Sequence, residues 1–335
     1  MKKIVIVVVA FIGILISIPL SFQVAYQSKT SDTIPINVQL GSSSGKNKPV
    51  NEAEDVEQIV TVFRESKNEY QEIPLETYLI GVVSGEMPAL YDIEALKAQA
   101  VAARTYTIQL LESEESIYDT VKHQVYLDDH QLKEKWQGKF DEYYEKVSKA
   151  VNETAGEVIT YEDELIKPFY FSISNGYTEN SEDYWSKAYP YLRSVNSEWD
   201  KTAPKYKVET EFTLDQLRAK FNDQTLTKES FIILNKTEGK SVNEILIGDK
   251  VYSGRQFRET LGLRSTDFSL LFNGNKVVIT TYGYGHGVGM SQYGANELAK
   301  QGKTYDEIIK YYYQNVNINE KKFLKLNKIG KKWSS

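Results

Sequence analysis

One carboxylate stands out by its surroundings. Glu86 lies in the run Gly85-Glu86-Met87-Pro88-Ala89, where Pro88 disfavours helical geometry at Met87 and so ends the preceding helix. A helix C-terminus carries partial negative charge and disfavours an ionised carboxylate. A free glutamate titrates near ~4.3, whereas a general acid works best nearer ~6 to 7. The dipole therefore pushes in the useful direction, and burial would add to it. Taken alone, a solvated helix-end glutamate is the commoner reading.

Two further blocks carry groups that suit a polyhydroxylated ligand. The run from Tyr282 to Gly294 holds five glycines together with Tyr284, His286, Ser291, Gln292 and Tyr293. Glycines let backbone amides approach a ligand closely, and tyrosines offer flat faces and hydroxyls. A phosphate cradle would need a Gly-Lys-Ser/Thr ending, which is missing. Ser172-Ile173-Ser174-Asn175-Gly176-Tyr177-Thr178 signals a hydroxyl-rich turn after a strand. The two blocks are expected to face Glu86 across one cleft, with Ser174, Tyr177, Tyr284, His286, Ser291, Gln292 and Tyr293 as substrate contacts. Lys97 and Arg104 sit seven apart on a predicted helix and share a face. They are read as cationic donors beside Glu86, or as a solvated stripe. Asp92 and Glu94 could supply the second carboxylate of a hydrolase.

The elements that must position these groups mix helix and strand without regular alternation, so the fold class is α+β. A helix is expected after Pro74, carrying Leu75, Leu79, Val82 and Val83 on one face. A longer one runs over 93–111 with an alanine-rich face, and a third over 140–154, closed by Gly156. Strands are expected at 59–63, 158–161, 169–173, 206–212, 231–234, 245–247 and 277–280. Capping boxes at Thr213/Gln216 and Thr304/Glu307 open short helices.

The chain has 335 residues, 41% apolar and 26% charged, with a net charge of −6. That balance argues against a nucleic-acid binder, which needs a basic face. Six lysines in the last fifteen residues form a solvated tail, or a weak attraction to an anionic surface. There is no cysteine, which excludes disulfides, thiolate zinc sites and cysteine nucleophiles. Lys2 and Lys3 precede an apolar run ending near Ala25. Its span as a helix, ~33 Å, crosses a bilayer. Residues 1–26 are thus read as an uncleaved membrane anchor with the rest outside the cytoplasm, a cleaved signal peptide being the alternative. Residues 27–55 read as a linker and 56–335 as one catalytic domain, with 206–264 as a small inserted lobe.

The run GEMPALYDIEALKAQAVAARTY, the turn SNGYT followed by PYLRSV, and the loop GYGHGVGMSQYGA resemble the SpoIID/LytB-type domain family over roughly residues 56–325. The resemblance implies a lytic transglycosylase acting on peptidoglycan, a bacterial cell-wall polymer, with Glu86 at the position of the family's catalytic glutamate. It implies cleavage of peptide-free glycan between N-acetylmuramic acid and N-acetylglucosamine during engulfment in endospore formation. It also implies two partners, an amidase that strips stem peptides and a membrane protein that recruits both. Some relatives hold zinc through cysteines and a histidine after the long helix. Here only His123 and His130 stand near that place, so no metal and no cofactor is expected. The rival readings are a non-enzymatic glycan-binding component, a two-carboxylate hydrolase, and a zinc hydrolase using His123, His130 and His286.

Overall fold

The structure is a computed structural model that describes residues 57–114 and 116–321. The expected anchor at 1–26, the linker at 27–55 and the lysine-rich tail beyond Lys321 lie outside the described residues. Among the described residues, no helix is long and apolar enough to cross a membrane.

The chain opens with strands β1 (Ile59–Arg64) and β2 (Glu69–Pro74), which pair antiparallel. Pro74 closes β2 and is the N-cap of α1 (Leu75–Glu86). Next comes α2 (Ile93–Ser113), whose first N–H groups are served by Asp92: its carboxylate accepts from the Glu94 amide at 3.0 Å. The expected alanine face is real, but α2 is buried on nearly every side from Ala95 to Ile108. Small side chains permit that, since they let several neighbours approach one helix closely. After β3 (Ile117–Tyr118), α3 (Asp129–Trp136) and α4 (Phe140–Asn152) follow, then β4 (Glu157–Tyr161), β5 (Glu164–Leu165) and β6 (Tyr170–Phe171). The strand expected over 169–173 shrinks to those two residues. Only Tyr170 and Phe171 find a ladder, parallel to residues 290 and 291, while Ile173 bridges Tyr284.

A short α5 (Ser181–Tyr184) leads to a region with its own core. It holds β7 (Lys207–Thr213), α6 (Leu214–Phe221), β8 (Phe231–Lys236), β9 (Val242–Ile247), β10 (Lys250–Ser253), α7 (Gly254–Leu261), β11 (Asp267–Asn273) and β12 (Lys276–Tyr282). β10-β9-β8 form one antiparallel sheet and β11-β12-β7 another. Val277 and Ile279 alternate inward on β12, where they join Leu217, Phe257 and Phe268 in a cluster separate from the core around α2. This second core extends past residue 264 because β12 must return to pair with β7. The chain then makes the glycine loop, β13 (Met290–Ser291), α8 (Gln292–Lys300), α9 (Tyr305–Tyr312) and β14 (Asn317–Glu320). The α+β class holds throughout the described residues.

Candidate active site

Glu86 ends α1, and its carboxyl is fixed by a neighbouring segment. Its Oε1 accepts from the Val125 amide at 2.6 Å. Two glycines make this approach possible. A Cβ on Gly85 would lie 2.5 Å from the Val125 carbonyl oxygen, and one on Gly81 would run into the Tyr126 ring. Gly81 and Gly85, four apart, form a bare strip on α1 along which residues 125–127 lie flat. Burial is the largest influence on Glu86 and raises its pKa. The Val125 hydrogen bond and the nearby Lys135 ammonium pull the other way without overcoming it.

Glu86 opens into a cleft of about 580 Å³, within the usual size of small-molecule sites. Tyr106, His123, Gln124, Phe169, Tyr170, Trp185 and His286 line it, with the cations Lys122 and Arg255. Glu86 is the only carboxylate among the described residues lining it. The Tyr170 hydroxyl donates to Gln124 Oε1 at 3.0 Å, and Gln124 Nε2 donates to the Thr107 hydroxyl at 2.9 Å. That chain fixes the floor of the cleft. A second cavity of about 70 Å³, bordered by Glu179 and Asp183, is lined by neither Glu86 nor His286.

The glycine loop reaches this cleft through His286. Gly283, Gly285, Gly287 and Gly289 all have positive φ. At Gly285 a side chain is also shut out by space, because a Cβ would lie 2.7 Å from that of Phe171. His286 Nδ1 accepts from the Val288 amide at 3.1 Å. Its ring packs among Phe169, Phe171, Tyr184 and Trp185 at centroid distances of 5.1 to 6.2 Å. Burial, with the charges of Arg258 and Arg255, holds its pKa down to about 3. The imidazole is therefore neutral at physiological pH.

The other expected contacts go elsewhere. Arg104 is fully buried; its guanidinium pairs with Glu76 at 2.9 and 2.6 Å and donates to the Val151 and Glu157 carbonyls. Lys97 is held by Glu94 and Glu153 at 2.8 and 2.9 Å. Neither lines the cleft, because the face they share turns toward Glu76 on α1, Glu153 just after α4, and the Val151 and Glu157 carbonyls. Ser174 and Ser291 are buried around Asp200: the Ser174 amide donates to its Oδ2 at 3.1 Å and the Ser291 hydroxyl to its Oδ1 at 3.0 Å. Ser291 also caps α8. The SNGYT turn and the glycine loop do meet, but over a buried aspartate rather than over open space. Tyr177 borders a much smaller cavity, Tyr284 lies exposed beneath the Arg264 guanidinium, and Tyr293 bonds Thr202 at 3.2 Å. Gln292 touches Glu86 from behind, donating to its main-chain carbonyl at 3.0 Å. Glu86 and His286 are the two expected residues that the cleft brings together.

Asp92 and Glu94 are both occupied, Asp92 as the cap of α2 and Glu94 by Lys97 and the Tyr305 amide. Zinc does not fit the donors near the cleft. His123 Nδ1 accepts from the Tyr118 amide at 3.0 Å, so in the neutral ring Nε2 carries the proton. His130 is exposed beside Glu134. Among the described residues no three His, Cys, Asp or Glu side chains gather as a metal set.

Sequence reasoning missed Gln124, Tyr170, Trp185, Arg255, Lys135 and the Val125 amide. One signal was available for Val125: glycines four apart on a helix invite close backbone approach.

The SpoIID family profile, described as stage II sporulation protein, matches residues 64–161. Stage II sporulation protein D of Bacillus subtilis (strain 168) is 45% identical over 271 residues, covering 78% of this chain and 79% of that protein. The protein of the same name from Bacillus amyloliquefaciens is 45% identical over 270 residues, 78% of each chain. An amidase enhancer of Bacillus subtilis (strain 168) is 31% identical over 290 residues, covering 70% of this chain and 39% of that protein. Identity at this level across more than three quarters of a sporulation protein places the chain in a family: it belongs to the SpoIID family of stage II sporulation proteins.

Proposed function

We propose that the protein is a peptidoglycan lytic transglycosylase with Glu86 as its acid and base. The observation that carries this reading is Glu86 as the only carboxylate among the described residues lining a cleft of aromatic and amide groups. Ordinary glycosidases need two carboxyl groups, ~5 to 9.5 Å apart depending on stereochemical outcome. A lytic transglycosylase needs one. The raised pKa of Glu86 keeps more of it protonated near neutral pH. Its proton passes to the glycosidic oxygen as the bond to C1 of N-acetylmuramic acid breaks. Glu86, now ionised, takes the proton of that sugar's C6 hydroxyl, whose oxygen closes on C1 as a 1,6-anhydro ring. Atoms balance without water. Trp185 and Tyr170 offer the faces and hydroxyl that a sugar needs.

Kinship with sporulation proteins and an amidase enhancer supports a place in wall remodelling during sporulation; we assign it to engulfment, on peptide-free glycan, beside an amidase and a membrane recruiting protein. The apolar N-terminal run anchors the chain with its catalytic domain outside the cytoplasm. Mass spectrometry of digested wall glycan tests the reaction. Anhydro-muramic ends are expected; reducing ends would mean a hydrolase, and no product a glycan-binding component.

A further inference from the structure

The last carbonyls of a helix have no partner within it. At the end of α1 this matters, because Glu86 is the last helical residue. Two of these carbonyls are taken by one side chain. Lys135 Nζ donates to the Ser84 carbonyl at 2.7 Å and lies 3.4 Å from that of Gly85. Lys135 does not line the cleft; it reaches the last turn of α1 from the exposed face of α3.

Its own element is firmly held. The N-terminus of α3 carries a capping box between Asp128 and Gln131. Both side chains accept from the fully buried Arg64, at 3.0 and 2.8 Å. Leu132 seats the helix in the interior. The ammonium is thus placed by a chain of contacts from β1 through α3 to the last turn of α1.

We propose that Lys135 is a positioning residue for Glu86, closing the last turn of α1 and setting, by its charge, the pH at which the Glu86 carboxyl exchanges its proton. The inference rests on the reading of Glu86 as the catalytic acid. The groups that bear on Glu86 come from every element around it: Tyr78 on α1, Tyr106 on α2, Lys122 and His123 after β3, Tyr170 on β6, Arg255 on α7 and His286 in the glycine loop. Tyr78, Tyr106 and Tyr170 are held above the ordinary tyrosine range by burial, and His123 and His286 below the ordinary histidine range. All five are uncharged near neutral pH. Lys122 and Arg255 are the cations on the cleft side. Lys135 is the one that touches the same helical turn. Its charge favours the ionised carboxylate and also offsets the negative end of the α1 dipole. Burial therefore stands against the Val125 hydrogen bond and Lys135 at Glu86, and removing Lys135 leaves the Val125 bond alone to oppose it.

The test titrates the full-length chain, labelled with 13C at the glutamate carboxyl, in wild type, Lys135→Arg and Lys135→Met, with Glu86→Gln assigning the resonance. Lys135→Met is expected to move the Glu86 midpoint to higher pH, and the alkaline limb of kcat/KM on glycan with it. Lys135→Arg keeps both near wild type. A folded Lys135→Met with an unmoved midpoint overturns the proposal and leaves Lys135 as a plain helix cap. Should Lys135→Met not fold, Lys135→Gln keeps a donor without the charge, and an unmoved midpoint there overturns it equally. A moved midpoint in Lys135→Met, with a wild-type enzyme that yields no anhydro products, would support the role of Lys135 and reject the transglycosylase reading.

Discussion

The Gln292 side-chain amide donates to the main-chain carbonyl of Glu86 at 3.0 Å, across 206 positions of sequence. Lys135 takes the two preceding carbonyls, so the final turn of α1 is satisfied by side chains from α3 and α8. Gln292→Ala leaves the Glu86 carbonyl without that partner. An unmet buried acceptor costs ~1–3 kcal/mol. Urea unfolding should show a loss of that order, with kcat falling more than KM rises. An unchanged stability and kcat would show that the bond contributes nothing.

Gly85→Ala probes the other support of Glu86. The added methyl would meet the Val125 carbonyl oxygen at 2.5 Å, so backbone must shift. Overpacking of this kind costs ~1–3 kcal/mol, and the same shift withdraws the Val125 amide from Glu86. Both the melting temperature and glycan cleavage should drop. A variant as stable and active as wild type would mean that residues 125–127 are free to move.

Arg104 separates a structural role from a substrate contact. Its guanidinium is buried against Glu76 and two carbonyls. Removing it leaves the Val151 and Glu157 carbonyls unmet, at ~1–3 kcal/mol for a buried acceptor, while the partly exposed Glu76 keeps access to water. Arg104→Ala should lose stability on that scale, while the remaining folded enzyme keeps its KM for glycan. A stable variant with a raised KM would return Arg104 to the substrate site.

His286 gives a pH test. Its folded pKa, about 3, lies below the ~6.5 of an unfolded histidine. A depressed value means that the unfolded chain binds the proton more tightly. Stability from this source is complete above pH ~6.5 and is lost as pH falls toward about 3. One proton contributes a slope of at most ~1.4 kcal/mol per pH unit. His286→Gln should remove that slope in denaturant titrations at pH 4 to 6. An identical slope in wild type and variant would show that the ring is open to protons in the folded state.

Much of the helical frame was legible because its signals are local. Pro74 and the Thr213/Gln216 and Thr304/Glu307 boxes all mark real helix starts. The same logic was available at Asp128/Gln131 and Ser253/Gln256, where boxes open α3 and α7; α3 buries only Leu132, but α7 carries Phe257 and Leu261 at helical spacing. The site was harder to read. Ser174 and Ser291 look like sugar donors by type, yet they bind Asp200, which no local pattern ties to either. Lys97 and Arg104 share a face as expected, but what that face meets depends on α4 and β4, far along the chain. Hydroxyls and cations near a motif report chemistry only once their partners are known. The place of Glu86 at a helix end is local, set by Pro88, whereas its burial and the Val125, Lys135 and Gln292 contacts come from distant segments.

The central claim is that one carboxyl both gives and takes the proton. Glu86→Gln keeps the shape of the side chain and removes the transfer, which contributes ~10²- to 10⁴-fold. The most direct measurement compares wild type and Glu86→Gln on peptide-free glycan, counting anhydro-muramic ends by mass spectrometry in enzyme shown to be folded. Anhydro ends from wild type, with a loss on that scale in the variant, are the predicted result. Near-normal anhydro product from folded Glu86→Gln, or reducing ends from wild type, would contradict it.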